Sequence, residues 1–305
     1  MGVKESTLAH YRYTLERYLL PVFGSDRLSD LDEQRLEQGI LQVISAASGR
    51  HKPLGASSSR ECLTMLRRIC KYAAYLHLMR TVEVFVKLPQ MEPCQTKPFS
   101  AQEQAALREF VLAAPTPRKV GLLLQMQLGL RIGEVCGLQW GDFDLKANVL
   151  TVRRTVSRIY CGIGCTKIVV QTPKTKSSGR EIPIPYDLAA LLRKLRGSAS
   201  PDTWFLSGST ERPVEPRCYR KSIRGYLRRA GVRRVHPHAL RHTFATTCLQ
   251  SGCDIKTLSE ILGHADANVT LKRYVHSDMK RKKSEMQRVF SAVWKKCPAQ
   301  LHASA

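Results

Sequence analysis

One short stretch near the carboxyl end limits what this chain can fold into more than any other. It spans residues 236–245 and reads HPHALRHTFA. His238 and Arg241 are three residues apart, so on a helix they lie on one face and can reach the same anion. An apolar segment then leads to His264, and a basic segment leads to Tyr274. We therefore expect the fold to bring two imidazoles, a guanidinium and a phenol close to one another.

These side chains suit a reaction at a phosphodiester that needs no metal. A fixed guanidinium binds non-bridging oxygens, an imidazole moves a proton, and a phenol attacks the phosphorus. Each piece alone has a plainer interpretation. An H-x-x-R pair on a helix is more often an exposed polar pair, and a tyrosine near a helix end is usually a surface residue. The order of the pieces, together with motifs further upstream, favours the chemical interpretation.

Two upstream motifs extend the set. Residues 128–140 form an apolar run that predicts a helix with Arg131 in its middle. Glu134 follows three residues later and is expected to orient neighbouring groups rather than to take part in chemistry. Residues 172–185 form a basic turn that leads into a short strand, and Lys174 lies in the turn.

With these motifs in this order, the chain resembles the tyrosine recombinases, the phage integrase family of enzymes that cut and rejoin DNA. The resemblance extends from about Thr7 to Trp294, nearly the whole chain. It implies a catalytic set made up of Arg131, Lys174, His238, Arg241, His264 and Tyr274. In this set Tyr274 is the nucleophile and Lys174 is the hairpin lysine. Lys176 stays an alternative to Lys174, because hairpin lengths vary in this family.

The resemblance also implies a function. It is that of a site-specific recombinase or integrase that acts through a 3′-phosphotyrosine intermediate for a phage or mobile element, without a metal or other cofactor. Exchange between two duplexes would use four protomers. Two alternatives are a DNA-relaxing enzyme of the type IB topoisomerase kind and a catalytically silent DNA-binding protein. The recombinase-like first domain argues against the former, and the intact catalytic set argues against the latter.

The charge of the chain is consistent with double-stranded DNA as the partner. Lys and Arg number 49 against 25 Asp and Glu, which gives a net charge of +24. So large an excess indicates a polyanionic partner, usually nucleic acid. An anionic membrane is the rival, but the sequence has no run of about eighteen apolar residues and no charged-then-apolar leader. We expect a cytoplasmic protein that does not bind a membrane.

The ten cysteines are scattered along the chain. Cys161 and Cys165 near His236 and His238 would suggest zinc, but a second C-x-x-C pair that would complete the set is missing from the sequence. Reduced thiols that behave as small apolar side chains are the better interpretation.

The predicted fold is mainly α with a small antiparallel β-sheet, arranged as a two-domain DNA clamp. We assign residues 1–88 to a helical core-binding domain, 89–98 to a proline-rich linker, 99–277 to an α+β catalytic domain and 278–305 to a tail. In the first domain, helices are predicted from Thr7 to Leu20, from near Asp30 to Ala46, and from the serines at 57–59 onward. In the second, strands are predicted at 148–160, 167–171 and 180–185, in one sheet.

Details of the packing follow from the apolar spacing. The second helix should turn inward the side chains of Leu36, Ile40, Leu41 and Ile44. Ser100 and Glu103 form the pattern of a capping box, which predicts the start of a helix after the linker.

Two basic segments are predicted to contact DNA phosphates. On the third helix these residues are Arg60, Arg67, Arg68 and Lys71. In the segment 217–234, which has eight cations and no acid, they are Arg217, Arg220, Lys221, Arg224 and Arg228. The alternative for the third helix is an ordinary solvated face.

The tail has one apolar stripe, which includes Phe290 and Trp294, on an otherwise basic helix. The resemblance favours docking of this helix in trans, on a neighbouring protomer of a tetramer on DNA. The alternative is that it folds back on its own catalytic domain. Because only about six residues precede the first predicted helix, an additional arm-binding domain is expected to be absent or removed.

Overall fold

The computed structural model describes residues 3–45, 53–88, 97–172 and 179–264, together with residues 283, 286 and 287. Lys174, Lys176 and Tyr274 lie outside the described residues, as do linker positions 89–96 and the tail apart from those three residues. Within the described part of the chain, no helix is long and apolar enough to cross a membrane.

The amino-terminal part is helical, as predicted. Helix α1 (Glu5–Thr14) continues through a π-helical turn (Leu15–Leu19) into α2 (Leu20–Phe23), and α3 (Glu33–Ile44) and α4 (Ala56–Tyr75) follow. The predicted end of the first helix at Leu20 is wrong, because the helical chain continues past Pro21 to Phe23. Pro21 lies in the first turn of α2, where a helix does not need the N–H that proline lacks.

The core of this part forms between α3 and α4. Leu36, Ile40 and Val43 on α3 pack with Cys62 and Leu66 on α4, among other buried side chains.

One predicted core position of α3 is wrong, because Leu41 is 50% exposed. Leu36, Ile40 and Val43 follow the spacing of four and three residues that keeps a single face inward. Leu41 directly follows Ile40, so it lies about 100° further around the helix. Ile44 is partly buried against the same core.

The capping box predicted after the linker is present. The Ser100 side chain accepts a hydrogen bond from the N–H of Glu103, whose carboxylate accepts one from the N–H of Ser100. This capping box starts α5 (Ala101–Ala113), which α6 (Pro117–Leu128) and the short α7 (Ile132–Cys136) follow. Among the described residues of this part, the remaining helices are α8 (Tyr186–Arg196), α9 (Pro216–Arg229), α10 (His238–Gln250) and α11 (Ile255–Leu262).

The strands form two small antiparallel sheets instead of the single sheet we expected. Strands β1 (Phe143–Asp144), β2 (Val149–Val152) and β5 (Arg180–Pro183) form one sheet in the order β1-β2-β5. Strands β3 (Thr155–Gly162) and β4 (Cys165–Gln171) form a separate hairpin.

The predicted strand at 148–160 divides at Arg153 and Arg154, between β2 and β3. There the guanidinium of Arg154 bonds the buried carboxylate of Asp142. The predicted class, mainly α with small antiparallel sheets, is confirmed.

The hairpin of β3 and β4 contacts the amino-terminal helices. The Tyr160 hydroxyl on β3 donates to Glu16 at 2.7 Å, and its ring meets Tyr13 edge-on. Lys167 on β4 forms an ion pair with Glu5 at 2.5 Å. The hairpin therefore connects the second part of the chain to the amino-terminal helices.

Candidate active site

Helix α11 ends at the centre of the site. Asp254 caps its first turn by accepting the N–H of Thr257, and Leu258 and Leu262 bury its apolar face. Gly263 ends the helix in the left-handed conformation, with φ of 64°. The last carbonyls of a helix lack partners within it, so they are free to accept hydrogen bonds from elsewhere in the fold.

Three consecutive carbonyls at this end are bound by three arginines. Arg180 donates from Nε to the carbonyl of Ile261, Arg241 donates to that of Leu262, and Arg131 donates to that of Gly263. The Arg241 bond measures 2.7 Å and the Arg131 bond 3.3 Å. Because the carboxyl end of a helix carries partial negative charge, it attracts all three guanidiniums to one place.

Arg241 is the most constrained of the three. Its side chain comes from α10, where the residue is 5% exposed. Besides its bond to Leu262, it donates to the Gly129 carbonyl at 2.7 Å and lies 3.0 Å from Nε2 of His264. An arginine N–H only donates, so Nε2 accepts and the proton of a neutral His264 ring is on Nδ1. The guanidinium therefore fixes the tautomer of this histidine.

Gly129 makes room for this arrangement and corrects one expectation. The run 128–140 is not one helix, because Gly129 ends α6 in the left-handed conformation, with φ of 66°. A Cβ on Gly129 would lie 2.5 Å from the ring of Phe244 and 2.9 Å from Leu262. The break sends Arg131 outward at the start of α7 and turns the Gly129 carbonyl toward Arg241.

Glu134 holds Arg131 and Arg180 together. Its carboxylate accepts the backbone N–H of Arg131 at 2.8 Å and the guanidinium at 2.7 Å. The fork of Arg180 approaches the same carboxylate with both terminal nitrogens, at 3.1 and 3.0 Å. Side-chain exposure is 36% for Arg131, but only 6% for both Glu134 and Arg180. Arg131 is thus the one of these three side chains that reaches toward solvent.

The charge of Glu134 is maintained by its partners. Burial alone would raise its pKa, but the attraction of Arg180, the hydrogen bonds from Arg180 and the contacts with Arg131 outweigh burial. The pKa of Glu134 is therefore lowered from its ordinary value. The carboxylate stays ionised at neutral pH and keeps its hold on both arginines.

His238 begins α10, three residues before Arg241 and on the same face. It is exposed, and its ring stacks on that of His236 at 5.2 Å between centroids. The pKa of His236 is lowered by burial and then by the charges of Arg220 and Arg224. The basic helix α9 thus lies beside the amino-terminal end of α10.

Helix α9 has two distinct faces. Tyr219, Ile223 and Leu227 are buried at spacings of four residues. Four of the predicted DNA contacts are exposed on the rest of the helix: Arg217, Lys221, Arg224 and Arg228. The fifth, Arg220, is half-buried, and its Nε atom lacks a hydrogen-bond partner among the described residues.

The predicted DNA contacts on α4, Arg60, Arg67, Arg68 and Lys71, are all exposed. Arg67 donates twice to the Val84 carbonyl, and Arg68 donates to the Tyr11 hydroxyl. Intramolecular bonds therefore hold Arg67 and Arg68 in place.

Of the predicted catalytic residues, the structure brings Arg131, Arg241 and His264 together at the end of α11 and places His238 on the helix that carries Arg241. Arg180 was not assigned a role from sequence. Its signal was available, because on a strand it shares a face with the apolar Ile182 two residues later. An arginine on an inward face requires a buried partner.

Comparison with protein families decides where the chain belongs. The model of the phage integrase family matches residues 97–281, more than half of the chain. The chain belongs to the phage integrase family. The membership inferred from the motifs is confirmed, and the matched range includes all six predicted catalytic residues.

Relatives within this family include tyrosine recombinases. A XerC-like tyrosine recombinase of Caldanaerobacter subterraneus subsp. tengcongensis is 30% identical over 187 residues, which cover 55% of this chain and 48% of that protein. Tyrosine recombinase XerC of Xanthomonas axonopodis pv. citri is 31% identical over 197 residues, 63% of this chain and 55% of the relative. The match spans about half the length of these curated relatives.

Solved structures share the fold. The Tn1549 transposon integrase in complex with transposon right end DNA superposes with a TM-score of 0.72 at 22% identity, covering 95% of both chains. A lambda integrase dimer bound to a core site gives 0.62 at 14% identity, covering 91% of this chain and 94% of the other. This chain therefore has the fold of these two integrases, although few of its residues are identical to theirs.

Gly129→Ala tests the packing at the break. The substituted residue would keep a left-handed backbone and push against Phe244, so we expect the free energy of unfolding to fall by about 3 kcal/mol. Urea denaturation followed by tryptophan fluorescence measures this, because Trp140 and Trp204 are buried in the part of the chain that contains Gly129.

Gly231→Ala is the matched control, with the same φ of 66° but open space around the missing Cβ. It should lower the free energy of unfolding by only about 1 kcal/mol. Equal losses for the two variants would contradict the packing argument.

Proposed function

We propose that this protein is a site-specific DNA recombinase that cuts and rejoins double-stranded DNA for the integration or excision of a phage or other mobile element. The observation that carries the proposal is the convergence of Arg131, Arg241 and His264 on the carboxyl end of α11. A cluster of fixed donors beside an exposed histidine is what an in-line displacement at a phosphodiester requires. Family membership supports the same chemistry.

The arginines stabilise the transition state. Attack on a phosphodiester concentrates negative charge on the oxygens of a pentacoordinate phosphorus. Arg131 and Arg241 are held by carbonyls and by Glu134, so they need not reorganise as that charge develops. By analogy with oxyanion-hole donors, each is worth about 10²–10³ in rate. The Nε2 atom of His264 accepts from Arg241, so the neutral ring carries its proton on Nδ1.

Tyr274 is the nucleophile in this proposal. A phenol with a pKa near 10 is ionised in only about one molecule in a thousand at neutral pH. His238, or the positive field of the arginines, assists its deprotonation. Attack gives a 3′-phosphotyrosine and a free 5′ oxygen, which Lys174 protonates. The covalent bond retains the energy of the broken one, so rejoining needs neither ATP nor a metal or cofactor.

Assembly on DNA completes the proposal. Four protomers would hold two duplexes, each protomer with its helical part (residues 1–88) and its catalytic part (99–277) on opposite sides of one half-site. One related structure is a lambda integrase tetramer bound to a Holliday junction. The tail at 278–305 would dock in trans on a neighbouring protomer. The protein would act in the cytoplasm, where its DNA is found.

Tyr274→Phe tests the nucleophile. The substrate is a nicked suicide duplex built on a site selected from a randomised DNA library by the wild-type protein. Wild-type protein should form a protein–DNA adduct that survives SDS, and the Phe variant should bind the duplex but form none. Tyr226→Phe is the control. If Tyr274 is the nucleophile, loss of the Tyr226 hydroxyl should leave adduct formation unchanged. An adduct that persists in the Tyr274 variant would falsify the assignment.

Lys174→Ala tests the general acid, with Lys176→Ala as its matched control two residues away. Without an acid, the alkoxide of ordinary DNA leaves slowly, so Lys174→Ala should stall cleavage. On DNA with a 5′-bridging sulfur the leaving group is a thiolate that needs no proton, and cleavage should recover. Recovery confined to Lys176→Ala would assign the role to Lys176 instead.

The basic face of α9 should contact DNA phosphates. If about ten phosphates are neutralised, the logarithm of the binding constant falls with the logarithm of salt concentration at a slope near −9. Arg224→Gln should make this slope shallower by about one. Arg229→Gln on the same helix should not, because its guanidinium lies over the rings of Phe110 and Tyr226. A wild-type slope shallower than about −3 would contradict the proposed interface.

A further inference from the structure

Arg180 makes contacts that its position in a strand does not require. It is the first residue of β5 and pairs in the sheet with Val152. Its side chain leaves the sheet and ends at the carbonyl of Ile261 and the carboxylate of Glu134. A Cβ on Gly263 would lie 3.0–3.3 Å from this guanidinium, so the glycine lets the end of α11 lie directly against it. Arg180 thus connects three parts of the chain that are far apart in sequence.

We propose that Arg180 is a positioning residue for strand cleavage, which holds the Glu134 carboxylate and the end of α11 where Arg131 and His264 must be. The inference rests on the proposed recombinase function and deepens it. Arg180 does not touch the phosphate in this account. Its Glu134 contact orients the guanidinium of Arg131, and its Ile261 contact fixes the helix end that precedes His264 by two residues.

Charge explains why an arginine is needed here. Glu134 without Arg180 would be a buried carboxylate with Arg131 as its remaining cation. The Glu134 carboxylate would then either draw the Arg131 guanidinium closer to itself or take up a proton and release it. Both changes move the guanidinium from the position in which it would meet a phosphate. The pKa of Glu134 would also rise, because burial opposes ionisation and the attraction of Arg180 is the largest effect that lowers it. Among the described residues, the charged groups that act on Glu134 are Arg180 from β5 and Arg131 from the start of α7, and the carbonyl end of α11 faces both.

Substitution of Arg180 separates positioning from folding. Arg180→Met keeps the length of the side chain but removes its charge. On the suicide duplex at saturating protein, we expect cleavage to fall about 100-fold while the dissociation constant for DNA changes less than about threefold. The acid limb of the cleavage–pH profile should move to higher pH, because protonation of Glu134 now disables Arg131. Arg180→Lys retains the charge, so its acid limb should stay near that of wild type.

Arg154→Met is the matched control. Arg154 binds the buried carboxylate of Asp142 at 2.6 Å, so this variant also breaks an ion pair with a buried acid in the same part of the chain. Among the described residues, the hydrogen bonds of Arg154 reach Gln139 and Asp142 and not the end of α11. We expect Arg154→Met to lose stability without a shift in the acid limb of cleavage.

The outcomes distinguish this inference from the proposed function. A wild-type protein that forms no adduct on its selected site would overturn the recombinase proposal and the positioning role with it. A wild-type adduct together with an Arg180→Met variant that cleaves at the wild-type rate would overturn the positioning role alone. So would an acid limb that shifts equally in Arg180→Met and Arg154→Met, since the effect would then come from general loss of stability.

Discussion

The carboxyl end of α11 is the constraint on which the rest of the site depends. Three guanidiniums would repel one another in one place, but the last carbonyls of a helix and the buried Glu134 offset that repulsion. Each arginine comes from a different element: Arg131 from the start of α7, Arg180 from β5 and Arg241 from α10. Their bonds to successive carbonyls therefore fix α7, the first sheet and α10 relative to α11. The same bonds hold three positive charges at the end of α11.

The helix that carries His238 and Arg241 was the easiest part of the candidate site to predict from the sequence. The spacing of His238 and Arg241 requires only a helix, and the helix is present. The helical class and the capping box at Ser100 also follow from local patterns. These features depend on residues within one or two turns of each other, and that is the range over which sequence patterns are informative.

The features that could not be predicted depend on contacts between residues that are far apart in the sequence. The run at 128–140 reads as a helix because its apolar spacing continues, but Gly129 breaks it where Phe244 and Leu262 pack close. The strand at 148–160 reads as continuous, but it divides at Arg154, whose guanidinium bonds Asp142. Arg180 was the nearest to being predictable. Its strand spacing with Ile182 indicates an inward side chain, but nothing local identifies Glu134 as its partner.

In the proposed reaction, the net charge of the assembled cluster matches the charge of the transition state more closely than that of the substrate. Arg131, Arg180 and Arg241 with Glu134 leave a net of two positive charges at the end of α11. A phosphodiester carries one negative charge, and more develops as the phosphorus becomes pentacoordinate. Arg180 and Arg241 are buried and donate hydrogen bonds to backbone carbonyls. They therefore stay in place when the substrate binds, and their positive field acts on the charge that develops later. An excess of preorganised charge that is fully used only in the transition state is what accelerates a reaction, rather than tight binding of the substrate.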